Sequence, residues 1–216
     1  MLNKIKISKA LILLIPFLTS CNNIDDATKI SMNSLDTTDA IKIDTFWIKP
    51  KLSLDFNSIK SITNDTFNIV VCSDFSFYPF GKLKDTSDIK LTELKKFIKA
   101  DTLIKFPNDH KILCHKLNYN GNNLILWLDK DAESSTHSYI LNGEISDDSI
   151  KLVNGVKIGM TKEDFVSIAF ENFPKTLFDR YNVFIFETCV TSLSHIYTFK
   201  NNKINKIVFV ATPIPN

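Results

Sequence analysis

The sequence predicts an α+β protein: antiparallel β-meanders with one helix packed against the strands of each module. Three observations carry this expectation. Short runs alternate apolar and polar residues at period two, the pattern of a half-buried strand. Asn-Gly pairs recur at Asn120-Gly121, Asn142-Gly143 and Asn154-Gly155, and Asn-Gly favours a two-residue hairpin turn whose central residues both need positive φ. Two stretches, one after Asp88 and one after Thr161, instead carry apolar residues at helical spacing.

Taken in order, the chain opens with Lys4, Lys6 and Lys9 before an apolar run from Ala10 to Leu18 broken only by Pro16. A basic start, a short apolar core and small residues beyond it make a secretory signal. The core of about nine residues is well short of the roughly 20 that span a bilayer. Leu18-Thr19-Ser20-Cys21 resembles the lipobox of bacterial lipoproteins. That resemblance implies cleavage before Cys21, lipidation of its sulfur and amine, and a protein held in the cell envelope. The outer membrane of a Gram-negative bacterium is the expected address. Residues 1–20 are then the signal, and 21–40 are the lipidated cysteine and its tether. The tether is polar and lacks any period, so it buries too little to offset its ordering entropy. Its Asp25-Asp26 pair faintly resembles the surface-export signals of lipoproteins from the Bacteroides group, but plain solvation of a tether is the favoured reading.

The folded part is expected as two modules, 41–150 and 151–216. In the first, Ile41/Ile43 and Leu52/Leu54/Phe56 suggest short strands, Phe67–Cys72 a stronger one, and Tyr78–Gly81 a turn. Leu91, Leu94, Phe97 and Ile98 then share a helical face, with Asp88 as cap. Lys111–Tyr119 and Asn122–Asp129 flank Asn120-Gly121, and Thr136–Leu141 runs into Asn142-Gly143. In the second module Asn154-Gly155 joins 151–153 to 156–158. Thr161 and Asp164 form a capping box, and Met160 and Phe165 a hydrophobic staple. Strands follow near 181–188, 193–200 and 203–211, the last two joined at Asn201-Asn202. Val183-Phe-Ile-Phe186 is apolar on both faces, as in a central strand. Thr136-His-Ser-Tyr-Ile-Leu and Ser194-His-Ile-Tyr-Thr-Phe match in pattern, which raises the alternative of two related modules.

Residues 151–211 resemble the small outer-membrane lipoproteins of the BamE/SmpA family and, more loosely, the β-lactamase inhibitor protein fold. The residues that carry this are Gly159-Met-Thr-Lys-Glu-Asp-Phe165, Pro174 and three closing strands. Where that family has Leu-Gly-x-Pro, this chain has Phe170-Glu-Asn-Phe-Pro174. The resemblance implies a helix packed on an antiparallel sheet that binds other proteins, with no catalytic residues to carry over.

Composition narrows the chemistry. Three lysines and no acids lie in residues 1–20, so the 26 basic residues become 23 against 24 acidic ones after cleavage. That balance gives no footprint for nucleic acid. The five glycines, at 81, 121, 143, 155 and 159, compose neither a phosphate-cradling loop nor a nucleophile elbow. Cys72, Cys114 and Cys189 allow one disulfide in three ways, but all sit in apolar runs, and buried unpaired thiols are the default. His110, Cys114 and His115 invite a metal. On a strand, however, His110 and Cys114 lie roughly 13 Å apart and His115 faces away. Asp129, Asp131 and Glu133 lack the glycine and glutamate of a calcium loop, since Ser134 and Ile140 stand there. No metal or cofactor is therefore expected.

His137 and His195 occupy matching positions of the suspected repeat. Each alternates with apolar residues, which suits half-buried structural histidines, with a hydrolase or small-ligand site as the alternative. Phenylalanine is abundant, at 17 residues, and most should be core. If one sheet face is uncovered, aromatics on it suit protein recognition. Tyr197, Phe199 and Phe209 are the candidate partner surface. The function expected is a non-enzymatic lipoprotein, held to the membrane through Cys21, that binds another envelope protein.

Overall fold

A computed structural model describes residues 40–43, 45–51, 57–105, 111–130, 136–189 and 193–211. The tether, Leu52/Leu54/Phe56, His110, Asp131 and Glu133 lie outside them. The strands are β1 (Ile41–Ile43), β2 (Phe46–Pro50), β3 (Asn57–Ile62), β4 (Thr66–Val71), β5 (Ile98–Lys105), β6 (Lys111–Tyr119), β7 (Asn122–Lys130) and β8 (Thr136–Ile145). They continue as β9 (Phe170–Asn172), β10 (Val183–Thr188), β11 (Leu193–Lys200) and β12 (Lys203–Ala211). A single turn α1 (Asp74–Phe77) and the helix α2 (Lys162–Ala169) complete the α-structure. One sheet has nine strands in the order β3-β4-β10-β11-β12-β8-β7-β6-β5, and a small one has the order β1-β2-β9. All pairs are antiparallel except β4 with β10.

The α+β expectation is thereby corrected. The protein is mostly β, built on a mixed sheet, and does not carry one packed helix per module. The helix expected after Asp88 is two 3-10 turns, Asp88–Leu91 and Glu93–Lys96, followed directly by β5. Thr92 interrupts it with extended backbone (φ −116°, ψ 178°). Its hydroxyl donates to the Ile89 carbonyl and accepts from the Leu94 amide, a local alternative to helical hydrogen bonding. Leu91 and Ile98 of the expected apolar face are exposed, while Ile89, Leu94 and Phe97 are buried.

The expected turns part company. At Asn120-Gly121 both residues have positive φ, as the hairpin turn requires, and Asn201-Asn202 does the same. Asn142-Gly143 does not turn at all but lies within β8. A Cβ on Gly143 would fall 2.2 Å from the Asn123 carbonyl oxygen and 2.7 Å from Leu124 Cα. That glycine lets β8 approach β7 closely.

The second helix begins where its grammar places it. The Thr161 hydroxyl accepts from the Asp164 amide at 3.1 Å and donates to the Asp164 carboxylate at 2.7 Å. Such a cap is worth about 0.5–2 kcal/mol. Phe165 points from α2 into an aromatic cluster, with ring centroids 4.8 Å from Tyr197, 5.3 Å from Phe199, 5.4 Å from Phe184 and 5.7 Å from Phe186. Phe170 of β9 meets Phe67 and Phe186, so the small sheet and α2 cover the same face. Pairing of β4 with β10 and of β8 with β12 crosses the expected boundary at 150–151, and the described residues fall in one compact unit.

Candidate partner-binding face

Alternation along β10, β11 and β12 sends neighbouring side chains to opposite faces of the sheet. Phe184, Phe186, Tyr197, Phe199 and Phe209 share the face under α2 and are buried. Ile185, Ile196, Val208 and Val210 take the other face and are only half-buried. Register places Ile185 opposite Ile196 and Ile196 opposite Val208, with Asn68 and Glu144 at the two ends of the row. The adjoining row runs through Glu187, Ser194, Val210, Asn142 and Ile125. Two residues along β7, on the same face, Trp127 stands opposite Tyr139 with its ring 5.7 Å away.

Charges frame the aliphatic rows. Lys60 and Asn68 donate to the two oxygens of Glu187, at 2.6 and 2.9 Å. Burial pushes the Glu187 carboxyl up, but these hydrogen bonds outweigh it and hold it below the usual range. At the opposite end Lys206 pairs with Glu144 at 3.0 Å. The result is an apolar strip, β-branched in the middle and aromatic at one end, between two ion pairs.

The expected surface residues Tyr197, Phe199 and Phe209 are therefore core, 0%, 5% and 0% exposed. Each sits one residue from a member of the half-buried face. Because both faces of these strands are apolar, hydrophobicity alone does not say which one α2 covers, and a one-residue change of phase exchanges the sets.

The two histidines part company. His195 is 1% exposed, its ring 4.9 Å from Phe209 and its Nδ1 3.4 Å from the Tyr197 hydroxyl. Burial drives its pKa down to about 3, so it is a neutral core residue. The folded value lies below the unfolded one, so its contribution to stability is complete above about pH 6.5 and drains away as pH falls towards 3. Between pH 7 and pH 4 the wild type is expected to lose about 3 kcal/mol more unfolding free energy than a His195→Gln variant. Urea titrations at the two pH values measure this, and equal losses would show that His195 is not desolvated.

His137 is half-buried at the aromatic end of the strip. Its Nδ1 lies 3.1 Å from the Tyr78 hydroxyl, and its ring is nearly parallel to Tyr139 at 6.1 Å. Lys82 Nζ sits 5.4 Å from the Tyr78 ring. Asp129 is its partner across the β7–β8 ladder. An open hollow of about 750 Å³ lies elsewhere, at the β6–β7 turn, lined by Lys96, Ile98, Lys116, Tyr119 and several asparagines. Neither histidine nor any carboxylate lines it.

Of the histidine–cysteine set, Cys114 is buried with its thiol pushed up to about 11 by burial. His115 contacts Asp101 at 2.8 Å through Nδ1. Among the described residues no group of three His, Cys, Asp or Glu side chains is placed to hold a metal. The unpaired default for the cysteines is corrected: Cys72 and Cys189 form a disulfide across a separation of 117 residues, and Cys114 is free. Cys72 follows β4 and Cys189 follows β10, and the parallel pairing of those strands, illegible in sequence, brings them together.

Among the described residues no helix is long and apolar enough to cross a membrane. No family model, curated protein or solved structure matches the chain.

Proposed function

We propose that this protein is a lipid-anchored component of the bacterial cell envelope that works by contact with another envelope protein and catalyses no reaction. The observation that carries the proposal is the strip Ile185–Ile196–Val208, extended by Val210 and Ile125 to Trp127 and Tyr139. An apolar centre with a polar or charged rim is the usual anatomy of a protein interface. The Cys72–Cys189 bond supports an exported chain, because disulfides persist in oxidising compartments. Cys21 supplies the anchor, by its place behind the basic and apolar leader. The competing reading, an envelope hydrolase or small-ligand-binding protein, now rests on His137 alone, through its contact with Tyr78.

The test uses the full chain in its own membrane, extracted in mild detergent. Wild type is expected to co-purify a stoichiometric envelope protein. Ile196→Lys, folded by circular dichroism, is expected to lose it by at least about tenfold, as a charge at the centre of an interface does. His137→Gln should retain it. If the folded Ile196→Lys variant keeps both partner and cellular function while His137→Gln loses function, the contact reading is wrong. Cys21→Ala should move the protein from membrane to soluble fraction, and a soluble wild type would remove the anchor.

A further inference from the structure

We propose that β5 is a docking edge for a second copy of this chain, the two β5 strands pairing antiparallel about a two-fold axis through Leu103. Among the described residues the nine-stranded sheet ends in β3 on one side and β5 on the other. Unpaired sheet edges template further pairing, and proteins blunt them with bulges, charges or cover. β3 is blunted, since its pairing with β4 slips between Ile59 and Ser61 and Lys60 is tied to Glu187. β5 has no such slip: Ile98 to Lys105 pair with Asn118 to Lys111 in unbroken register. Six of its eight residues are exposed, on both faces. Leu103 and Leu113, opposite each other across β5 and β6, are 65% and 54% exposed.

The choice of occupant follows from the strand's own sequence. A two-fold axis normal to a sheet keeps every side chain on its original face, so only residues separated by an even number can stand opposite each other. That leaves few registers for Ile98-Lys-Ala-Asp-Thr-Leu-Ile-Lys105. Centring on Asp101 sets two aspartates face to face, and centring on Thr102 sets Lys99 against Lys105. Like charges directly opposite are destabilising. Centring on Ala100 matches Lys99 with Asp101 but leaves Leu103 and Leu113 outside the paired segment. Centring on Leu103 places Leu103 against its copy and Asp101 against Lys105 in both directions, all on one face. The two exposed Leu103–Leu113 pairs then merge into a four-leucine patch at the two-fold axis. In this register Asp101, which pairs with Lys99 at 2.9 Å and His115 at 2.8 Å in its own chain, also meets Lys105 of the other copy.

The experiment places single cysteines in the full-length protein in cells and reads disulfide-linked dimer on non-reducing gels. Leu103→Cys is expected to give a species of twice the monomer mass, because opposed residues of an antiparallel pair have Cβ atoms about 4.5–5.5 Å apart, close to disulfide range. Val153→Cys, exposed and outside β5, controls for collision and should not cross-link. Adding Lys105→Glu, which opposes two carboxylates, should reduce the Leu103→Cys dimer at least about tenfold, with unchanged circular dichroism and melting. Three results overturn the proposal: no dimer at Leu103→Cys, more at Ala100→Cys than at Leu103→Cys, or a Leu103→Cys adduct whose mass matches a different protein.

Discussion

Replacing Phe165 by alanine is expected to destabilise the protein by about 3–5 kcal/mol, the range for a buried aromatic cut back to a methyl. Phe165 is fully buried and is the point at which α2 grips the large sheet, touching four aromatic rings from β10 and β11. Such contacts add to the area term when rings meet edge to face or offset. Because those neighbours are themselves rigidly packed, the cavity cannot collapse cheaply. Phe165→Leu should recover much of the loss. Urea unfolding followed by far-ultraviolet circular dichroism measures both. An alanine variant within 1 kcal/mol of wild type, a bound set well below that of a core aromatic, would mean α2 is not docked as described.

Breaking the Cys72–Cys189 bond is expected to cost about 2–5 kcal/mol, the range for a native disulfide. The bond closes a loop across 117 residues, and constraint of the unfolded chain grows with loop length. It also clamps β4 to β10, the parallel pair that joins the first strands of the large sheet to the last. A Cys72→Ser/Cys189→Ser variant should melt at lower temperature than wild type, and wild type in reductant should melt with the variant. Cys114 should take no part, because it is buried with a raised pKa and the thiolate is the reactive form. Equal melting of oxidised and reduced wild type would show that the two cysteines are not bonded in the native protein.

Local grammar was legible wherever neighbouring residues settle the matter among themselves. Thr161 caps α2 because its hydroxyl and the Asp164 amide are three residues apart, whatever the rest of the chain does. Asn120-Gly121 turns because both residues accept positive φ. β6, β7, β10, β11 and β12 lie where alternation puts them. The misreadings have equally local causes. Leu91, Leu94, Phe97 and Ile98 fit a helical period, yet one extended threonine divides the segment into 3-10 turns. Asn142-Gly143 has hairpin composition, but its glycine serves a close approach of two backbones rather than a reversal.

By itself the sequence determined the Asn120-Gly121 and Asn201-Asn202 hairpins, the start of α2 and the acid–base balance, because these are read from composition or from residues within a few positions of one another. Only the tertiary structure decided three things. It showed which face of β10–β12 is core, and so exchanged Tyr197, Phe199 and Phe209 for Ile196, Val208 and Val210 as candidate contact residues. Sorting His195 from His137 was the second, by burying one beneath the aromatic cluster and leaving the other beside Tyr78. Pairing β4 with β10 was the third, and from it came the disulfide and the merging of two expected modules into one sheet. The physical reason is common to all three. A strand apolar on both faces carries no record of which face meets the helix, and a contact across more than a hundred residues leaves no local pattern to read.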